Sequence, residues 1–564
     1  MRTTRHLILF LFVFSIAAAQ DTKEKKEAPQ KEIDLKKPAD TQKEETALPK
    51  IDLPEFVITG NEKINLDIKS KTEEDEDRLY VPEKPEPGKR NLAAEGGLSP
   101  KQTKPFSVTP NAMNGKVFAG VGFYMTPQFD GWFGQHDQSN SYIINGYYSS
   151  SEGHVTDADW WKGGFGAKGR YIIPDSSAVI PFAQLSGGVR YHREAYRAYG
   201  STAPDRIRDL NSLNISAGLG SRYALPYKSL SGFDYSGTVG FDSYGASDSL
   251  HFGENDFFVN GTATTRFFGS SFRGFIEYRT TGYTMSIPWL QSGQWFTLKA
   301  DGITSLLPSL QLSYALQQWL YRGNINSASG RLYPHLELRY SLTESAMTYA
   351  GFSPSVERTT LSSLIDQNRY IDFNAKILPA DISMNAYAGM EFTPFDELTT
   401  TMKFSYKRTD NYATFLDTSG AKVWEVSYLS GVRAAIFDAS ILYRLSGTQN
   451  ITAFLTTRSV QQKDSSGSMP YVPKFSFGSV YHQFFDFGLH LEAVAEYVDS
   501  RFTNFSNTHS TAGYVYTSIK GDIELFDHFR GYGEIQNLIN QHYYLWNGYR
   551  ERSMYLMLGI SYQW

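Results

Sequence analysis

The sequence predicts an all-β protein: a transmembrane antiparallel up-and-down β-barrel of about 22 strands, within a range of roughly 16 to 22, carrying a disordered N-terminal periplasmic tail. Three observations predict it. The N-terminus reads as an export signal, the composition is that of strands, and from about residue 115 to the last residue apolar and polar side chains alternate with period 2.

Export comes first. Arg2, Arg5 and His6 precede an apolar run from Leu7 to Ile16, followed by Ala17, Ala18 and Ala19. That is the pattern of a signal peptide over residues 1–19. A helix needs about 20 apolar residues to cross a hydrocarbon core of about 30 Å, so a run of about ten is cleaved and is no anchor. The 564 residues contain no cysteine, which removes disulfides, a lipidated cysteine and thiolate metal sites together.

Composition narrows the class. No second long apolar run occurs, so helical membrane spans are excluded, while 37 Tyr, 38 Phe and 47 Gly stand far from the Leu/Ala/Glu balance of helical domains. A formal net charge of -5 offers no basic face for nucleic acid.

The mature chain divides in two. Residues 20–114 contain charged, proline-bearing stretches such as KSKTEEDEDRLYVPEKPEPGKR, with too little apolar surface to offset the entropy of ordering. Within them Ile51–Gly60 forms a β-prone island behind Pro54. Residues 115–564 form the barrel. In its last segment Met554, Leu556, Leu558, Ile560, Tyr562 and Trp564 share one face, and Ser553, Tyr555, Met557, Gly559, Ser561 and Gln563 the other. The first face suits lipid and the second a lumen. The same register turns Arg273, Glu277, Arg279, Lys299, Asp301, His335, Glu337, Arg339, Glu492, Glu496, Lys520, Asp522 and Glu524 inward. They are expected to line the lumen as a mixed-sign network, because Arg or Lys at mid-depth in lipid costs about 2–4 kcal/mol. Aromatic residues near strand ends, among them Trp160, Trp161, Tyr171, Phe267, Tyr278, Trp295 and Trp319, are expected to form interfacial girdles.

Short turns are expected at 174–176, 269–270, 307–309, 343–344, 393–396, 446–448, 485–486 and 526–528. Longer connections are expected around 193–211, 244–255, 286–294, 357–381, 412–423, 461–472, 500–512 and 540–552. Bacterial barrels place short turns in the periplasm and long loops outside, with an even strand number. Parity here requires a first hairpin from 115–125 and 128–135.

The stretch IQNLINQHYYLWNGYRERSMYLMLGISYQW, with Asn537, Leu538, Asn540, Tyr543, Tyr544, Trp546, Gly548, Tyr549, Gly559, Tyr562 and Trp564, resembles the last hairpin of TonB-dependent receptors. Upstream, ILYRLSGTQNITAFLTTRS and YVPKFSFGSVYH resemble the penultimate barrel segments of that family. The likeness covers the last 150 or so residues, and the Pro-Gly-Arg that commonly precedes the family's last strand is replaced around Arg550–Ser553. LPEFVITG is similar to the family's N-terminal box, which implies that Glu55, Phe56, Val57, Ile58, Thr59 and Gly60, within segment 53–60, add a strand to TonB. Tyr562 and Trp564 resemble the C-terminal assembly signal of outer-membrane barrels, which implies the barrel assembly machinery as a partner beside outer-membrane lipid. The family's plug, well over a hundred residues, has no counterpart, because only about 55 residues, mostly charged, separate Gly60 from Lys116. The lumen is therefore expected to be occluded by inward-folded loops, a collapsed barrel section or a partner, with the tail remaining in the periplasm.

No catalytic signal emerges. The histidines show no HxxxH or HxH spacing, no Gly-x-Ser-x-Gly elbow occurs, and glycines such as those of GKVFAGVG precede no helix. Neither enzyme activity, a cofactor nor a metal is expected. The leading function is a TonB-dependent receptor-like transporter or channel for an unidentified solute. The alternative is a non-transporting scaffold or receptor that binds partners through its outer loops and tail, and a barrel enzyme ranks last.

Overall fold

The computed structural model describes residues 114–136, 140–174, 183–221, 233–267, 270–284, 292–323, 326–463 and 467–564. The expected signal peptide, the tail and segment 53–60 lie outside the described residues, as do Asp175, Ser176 and Gly269 of the expected turns.

Twenty-two antiparallel strands close into one barrel. They are β1 (Gly115–Gly122), β2 (Thr126–His136), β3 (Asn140–Ser151), β4 (Trp160–Ile172), β5 (Ala183–Arg197), β6 (Ile207–Ser221), β7 (Phe233–Ser247), β8 (His251–Phe267), β9 (Ser270–Tyr283), β10 (Gly293–Leu307) and β11 (Leu310–Gly323). There follow β12 (Asn326–Thr343), β13 (Ala346–Phe352, continued by Ser355–Glu357), β14 (Ala380–Phe395), β15 (Leu398–Asp410), β16 (Val432–Ser446) and β17 (Gln449–Gln461). The wall ends with β18 (Phe475–Phe484), β19 (Leu489–Val498), β20 (Tyr514–Phe526), β21 (Phe529–Gln536) and β22 (Tyr555–Gln563). Each strand pairs with the next, and β22 closes on β1 through Lys116↔Gln563 to Gly122↔Met557. The Trp564 carbonyl accepts the Asn114 and Gly115 N–H groups at 2.6 and 3.2 Å, so the last residue seals the seam and, among the described residues, the barrel sheet has no open edge. The hairpin β1–β2 supplies the even parity.

The wall has the inverted burial of a membrane barrel. Leu332, Leu336, Leu338 and Leu342 of β12 are about half exposed, at 43–54%, while Glu337 between them is 9% exposed. In β22 Tyr555 and Met557 are buried, and Leu558, Ile560, Tyr562 and Trp564 are exposed, so the two faces fall as the alternation predicts. An apolar outer belt on a closed wall leaves no unpaired backbone group for lipid, the condition for spanning a bilayer with strands.

Two expectations need correction. The connection around 244–255 is not a long loop: β7 runs to Ser247 and β8 begins at His251, leaving a three-residue turn. These strands have 15 and 17 residues, whereas about 9–11 cross a membrane, so they project beyond the bilayer on the outer side. Trp295 and Trp319 are not girdle residues either. Both are buried on the inner face, packed edge to face at 5.0 Å beside Tyr321 and Tyr333, because their register follows the inward charges of the same strands.

The largest apolar core is not in the wall. It lies where the outer connections pack against the outer ends of β5 to β8, through Tyr196, Leu210, Ala246 and Phe252, and the connections contribute the α-helix α1 (Leu361–Gln367) and small hairpins Tyr412–Leu416/Glu425–Leu429, Arg501–Phe502/Ser510–Thr511 and Tyr544–Trp546/Tyr549–Arg550.

Candidate functional site

The inner face can be fixed by one long-range contact. Arg358, in the connection after β13, donates to Glu254 Oε1 of β8 at 2.9 Å and also meets Asp256. A residue of that connection reaches β8, five strands away, only across the inside of the barrel, so Glu254 and Asp256 point inward. Register carries the assignment around the wall. Arg279 of β9 lies 3.5 Å from Asp256, 3.2 Å from Asp242 of β7 and 3.5 Å from Glu277. Arg273 lies 3.1 Å from Asp301 of β10, with Lys299 3.6 Å from the same carboxylate. Across β11, Asp301 stands in line with Ala315 and His335, and Glu337 accepts from Arg339 at 2.5 Å and from the Tyr387 hydroxyl of β14 at 2.6 Å. On the far wall Glu492 lies 2.9 Å from Lys520 and 3.7 Å from His482, Asp522 accepts from Arg530 at 2.6 Å and meets His490 at 3.3 Å, and Glu524 is 3.8 Å from Arg530. Glu496 stands opposite Gly478 and Tyr516 on the same face. All thirteen side chains singled out from the sequence thus share the inner face, in two sectors, β8–β14 and β18–β21.

Above this polar lumen the outer connections fold inward and pack. Thr360 caps α1 by accepting the Ser363 N–H while the Ser363 hydroxyl accepts the Thr360 N–H, and Glu254 Oε2 accepts the Leu361 N–H at 2.9 Å. Leu361, Leu364 and Ile365, at i, i+3 and i+4, form the helix's one buried stripe. They join Tyr370, Ile371, Phe373, Phe415, Trp424, Tyr471, Trp546 and Tyr549 in one cluster. Trp424 has no exposed surface and packs on Trp546 at 5.2 Å, Tyr549 at 5.7 Å and Tyr471 at 5.9 Å, while Tyr370 stacks on Tyr549 at 3.5 Å. Buried Arg208, at the outer end of β6, donates to the Ile371 carbonyl at 2.7 Å and lies 3.6 Å from Asp248.

Contacts within this cap span the mouth. The Thr202 N–H, between β5 and β6, donates to the Ala421 carbonyl, between β15 and β16, at 3.1 Å. From β6 to β15 is nine strands around the wall and from β16 to β5 eleven, so this bond joins nearly opposite sides. The third side is tied in by the β21–β22 connection: the Tyr549 hydroxyl donates to the Lys422 carbonyl at 3.0 Å, and the Tyr199 hydroxyl to that of Arg550 at 2.8 Å. His154 Nε2 lies 2.6 Å from the same Arg550 carbonyl. Gly548, at φ 93°, brings its carbonyl so close to Gly200 that a Cβ there would meet it at 2.6 Å. The outer connections thus meet across the outer mouth, one of the arrangements expected from the sequence.

Sequence reasoning did not find the cap core. Its signals were present: a Thr-led LSSLIDQ with one apolar stripe, and Phe415, Trp424, Tyr471 and Trp546 placed in connections. Among the described residues no group of three His, Asp or Glu side chains lies close enough to hold a metal ion.

No family model matches the chain, and no curated protein matches it in sequence. Solved structures do. The ferric-catecholate import receptor Fiu of Escherichia coli K12, in its closed form, is similar with a TM-score of 0.62 and 10% identity, over 80% of this chain and 82% of that one. The fold is that of the siderophore-receptor barrels. The FrpB iron transporter of Neisseria meningitidis gives 0.62 at 10% identity over 80% of both chains, and a variant of the ferric enterobactin receptor PfeA of Pseudomonas aeruginosa 0.62 at 11% over 80% of both. At such identity the likeness is one of fold.

Proposed function

We propose that this protein is an outer-membrane transporter of the TonB-dependent receptor type, which admits a solute through its lumen when the outer cap yields. The observation that carries the reading is the combination of a wide, ion-paired polar interior with a mouth closed by its own loops. A static wall has no need of charged residues on its inner face in two sectors, whereas a solute path needs a wet surface to exchange hydration against. The likeness to iron and siderophore receptors favours the same reading. In it Glu55–Gly60 adds a strand to TonB, and the inner charges from Arg273 to Glu524 line the path.

Planar-bilayer conductance tests it. Full-length protein and a chain lacking residues 20–110 are both expected to be closed, and a variant whose cap is loosened is expected to conduct. A large steady conductance from the truncated chain alone would make the tail the plug. Strand addition is tested with the purified periplasmic domain of TonB, whose retention by the full-length protein is expected to be lost on Ile58→Pro, since proline removes a ladder donor. Undiminished retention refutes the box.

A second reading, a non-transporting receptor, is favoured by the cap's buried aromatic core, which presents a fixed outer surface. Under it the cap-loosened variant stays non-conducting.

A further inference from the structure

Charge also stands on the outside of the wall, at the outer end of β15 and β16. Phe404 of β15 and Ile441 of β16 are exposed to the outside, while Ser405 and Asp438 are buried on the inner face. Arg408 and Arg433 share the parity of Phe404 and Ile441, so both point outward, and both are exposed. They are direct register partners. Like charges directly opposite on neighbouring strands destabilise a sheet. The flanking positions of the same row, Met384 on β14 and Gln461 on β17, supply no carboxylate, and among the described residues neither guanidinium has an ion pair or a hydrogen bond. The outward arginines of β5 are instead neutralised in place, Arg193 by Asp209 at 2.6 Å and Arg197 by Asp159 at 2.7 Å. A third cation lies beside the pair. Gly431, at φ 68°, leaves room for the stem of Lys463, whose Cβ would stand 3.1 Å from a Cβ placed on the glycine. The neighbouring carboxylate of Asp410 is held by the backbone, accepting the Gly431 N–H at 2.7 Å. The height of the pair follows from the strand. From Leu398, at the periplasmic end of β15, to Arg408 is 408 − 398 = 10 residues, about 23 Å along the axis at a rise of ~3.3 Å per residue and a tilt of ~45°. The outward positions between them are Thr400, Met402, Phe404 and Tyr406. The apolar band of such barrels is about 25 Å tall, so the arginines sit at its upper edge, where lipid headgroups begin.

We propose that Arg408, Arg433 and Lys463 bind the phosphate monoester of a lipid headgroup in the outer leaflet, so that one lipid is held at a fixed place on the wall. A phosphate monoester carries about 1.5 to 2 negative charges near neutral pH. Its oxygens can accept from two guanidinium forks at once, which turns the repulsion between the arginines into a clamp. Directly opposed residues stand about 4.5–5.5 Å apart at Cα, so both forks can converge on one phosphate. Height favours a lipid over a dissolved anion. A lipid whose phosphate lies at the upper edge of the band lays its acyl chains along Phe404, Met402 and Ile441, which are exposed on the same face, and burial of that apolar surface adds to the ionic contacts. A dissolved anion would have only the ionic contacts, which are solvated and screened by salt. The inference rests on the outer-membrane part of the reading above and not on transport.

The test titrates the full-length protein in detergent micelles with a diphosphoryl glucosamine-disaccharide lipid of the lipid A type, and native mass spectrometry counts the lipid retained. The heat-dependent gel shift of a folded barrel checks each sample. One lipid per chain is expected. Arg408→Gln combined with Arg433→Gln should weaken retention about ten-fold or more, since each guanidinium gives charge-assisted hydrogen bonds, and Lys463→Gln should weaken it several-fold. Arg322→Gln removes the same charge from an outward position on β11, opposite Gln294, and should change retention by less than about two-fold, as expected of a lone solvated charge. The parent protein should retain the dephosphorylated counterpart of the lipid no better than the double variant retains the phosphorylated one. Equal retention by a folded parent and a folded double variant overturns the proposal. So does undiminished retention of the dephosphorylated lipid, which assigns the contact to acyl chains alone, or an equal loss on Arg322→Gln, which makes it a general effect of charge. Displacement of the lipid by millimolar inorganic phosphate overturns it as well, by making the site one for a dissolved anion. A parent protein that shows no gel shift overturns the barrel reading itself, and this inference with it.

Discussion

Trp424→Ala tests whether the cap is a separately stabilised lid. Trp424 is fully buried among Tyr471, Trp546 and Tyr549, and its backbone exchanges hydrogen bonds with the 370–372 segment, Trp424 N–H to Tyr370 O at 3.1 Å and Asp372 N–H to Trp424 O at 2.8 Å. Truncating a buried Trp to Ala costs about 3–5 kcal/mol. None of its partners belongs to the membrane-spanning wall, so the loss falls on the equilibrium between packed and open cap. At 1.4 kcal/mol per decade this raises the open population by two to three and a half decades. The assay is twofold: amide hydrogen exchange over 358–379, 411–431 and 537–554, and single-channel recording in planar bilayers. Exchange in these connections should accelerate by a hundred-fold or more while the wall strands stay protected, and openings should appear that the parent protein lacks. Unchanged exchange in the cap would refute the reasoning, because the tryptophan would then be holding nothing together; faster exchange throughout the wall would refute the separation of cap from barrel.

Three further outcomes are expected. Burial lowers the pKa of His154 below its usual 6.5, the hydrogen bond to the Arg550 carbonyl opposing and Arg552 and Arg550 adding to the drop; a lowered folded-state pKa means that the open form binds the proton better, so the contact between the 152–159 and 537–554 connections is complete above pH 6.5 and weakens as pH falls below it, a dependence that exchange at Arg550–Arg552 should show and that His154→Gln should abolish. Leu558→Arg, at 57% exposure near the middle of β22 on the lipid face, should destabilise the barrel by about 2–4 kcal/mol in urea unfolding from lipid vesicles, whereas Glu492→Gln, in the wet lumen beside Lys520, should cost at most about 1 kcal/mol; equal costs, or the reverse order, would refute the assignment of the two faces. Trp564→Ala removes the 5.7 Å stack on Tyr562 at the closing seam, and the amount of heat-modifiable barrel recovered in membranes should fall several-fold; full recovery would show that the terminal aromatic pair serves only the lipid interface.

The wall was legible in the sequence because its physics is local. A strand shows alternate residues to opposite faces, so the placement of Leu332, Leu336 and Leu338 against His335, Glu337 and Arg339 could be read residue by residue, and parity with loop length gave orientation and an even count. The inward position of all thirteen charges follows from that register alone. What the residues could not disclose is which charge meets which: Arg279 reaching Asp242 two strands away and Arg358 reaching Glu254 across the barrel depend on closure and on strand stagger. Trp295 and Trp319 mislead for a related reason, since an aromatic near a strand end suits the lipid interface and an inner stack equally well, and only the register against neighbouring strands separates them.

The sequence by itself determined a closed, cysteine-free, outward-apolar barrel with a charged interior, because period, composition and turn chemistry each act over a few residues and agree with one another. Only the tertiary structure decided that the mouth is shut. The cap assembles Tyr370, Trp424 and Tyr549 of the connections with Tyr196 at the outer end of β5, residues up to about 350 apart, and each connection alone carries too few apolar side chains to bury itself. Burial of apolar surface is non-directional, so nothing local marks such residues as partners until the barrel has brought their strands into a ring.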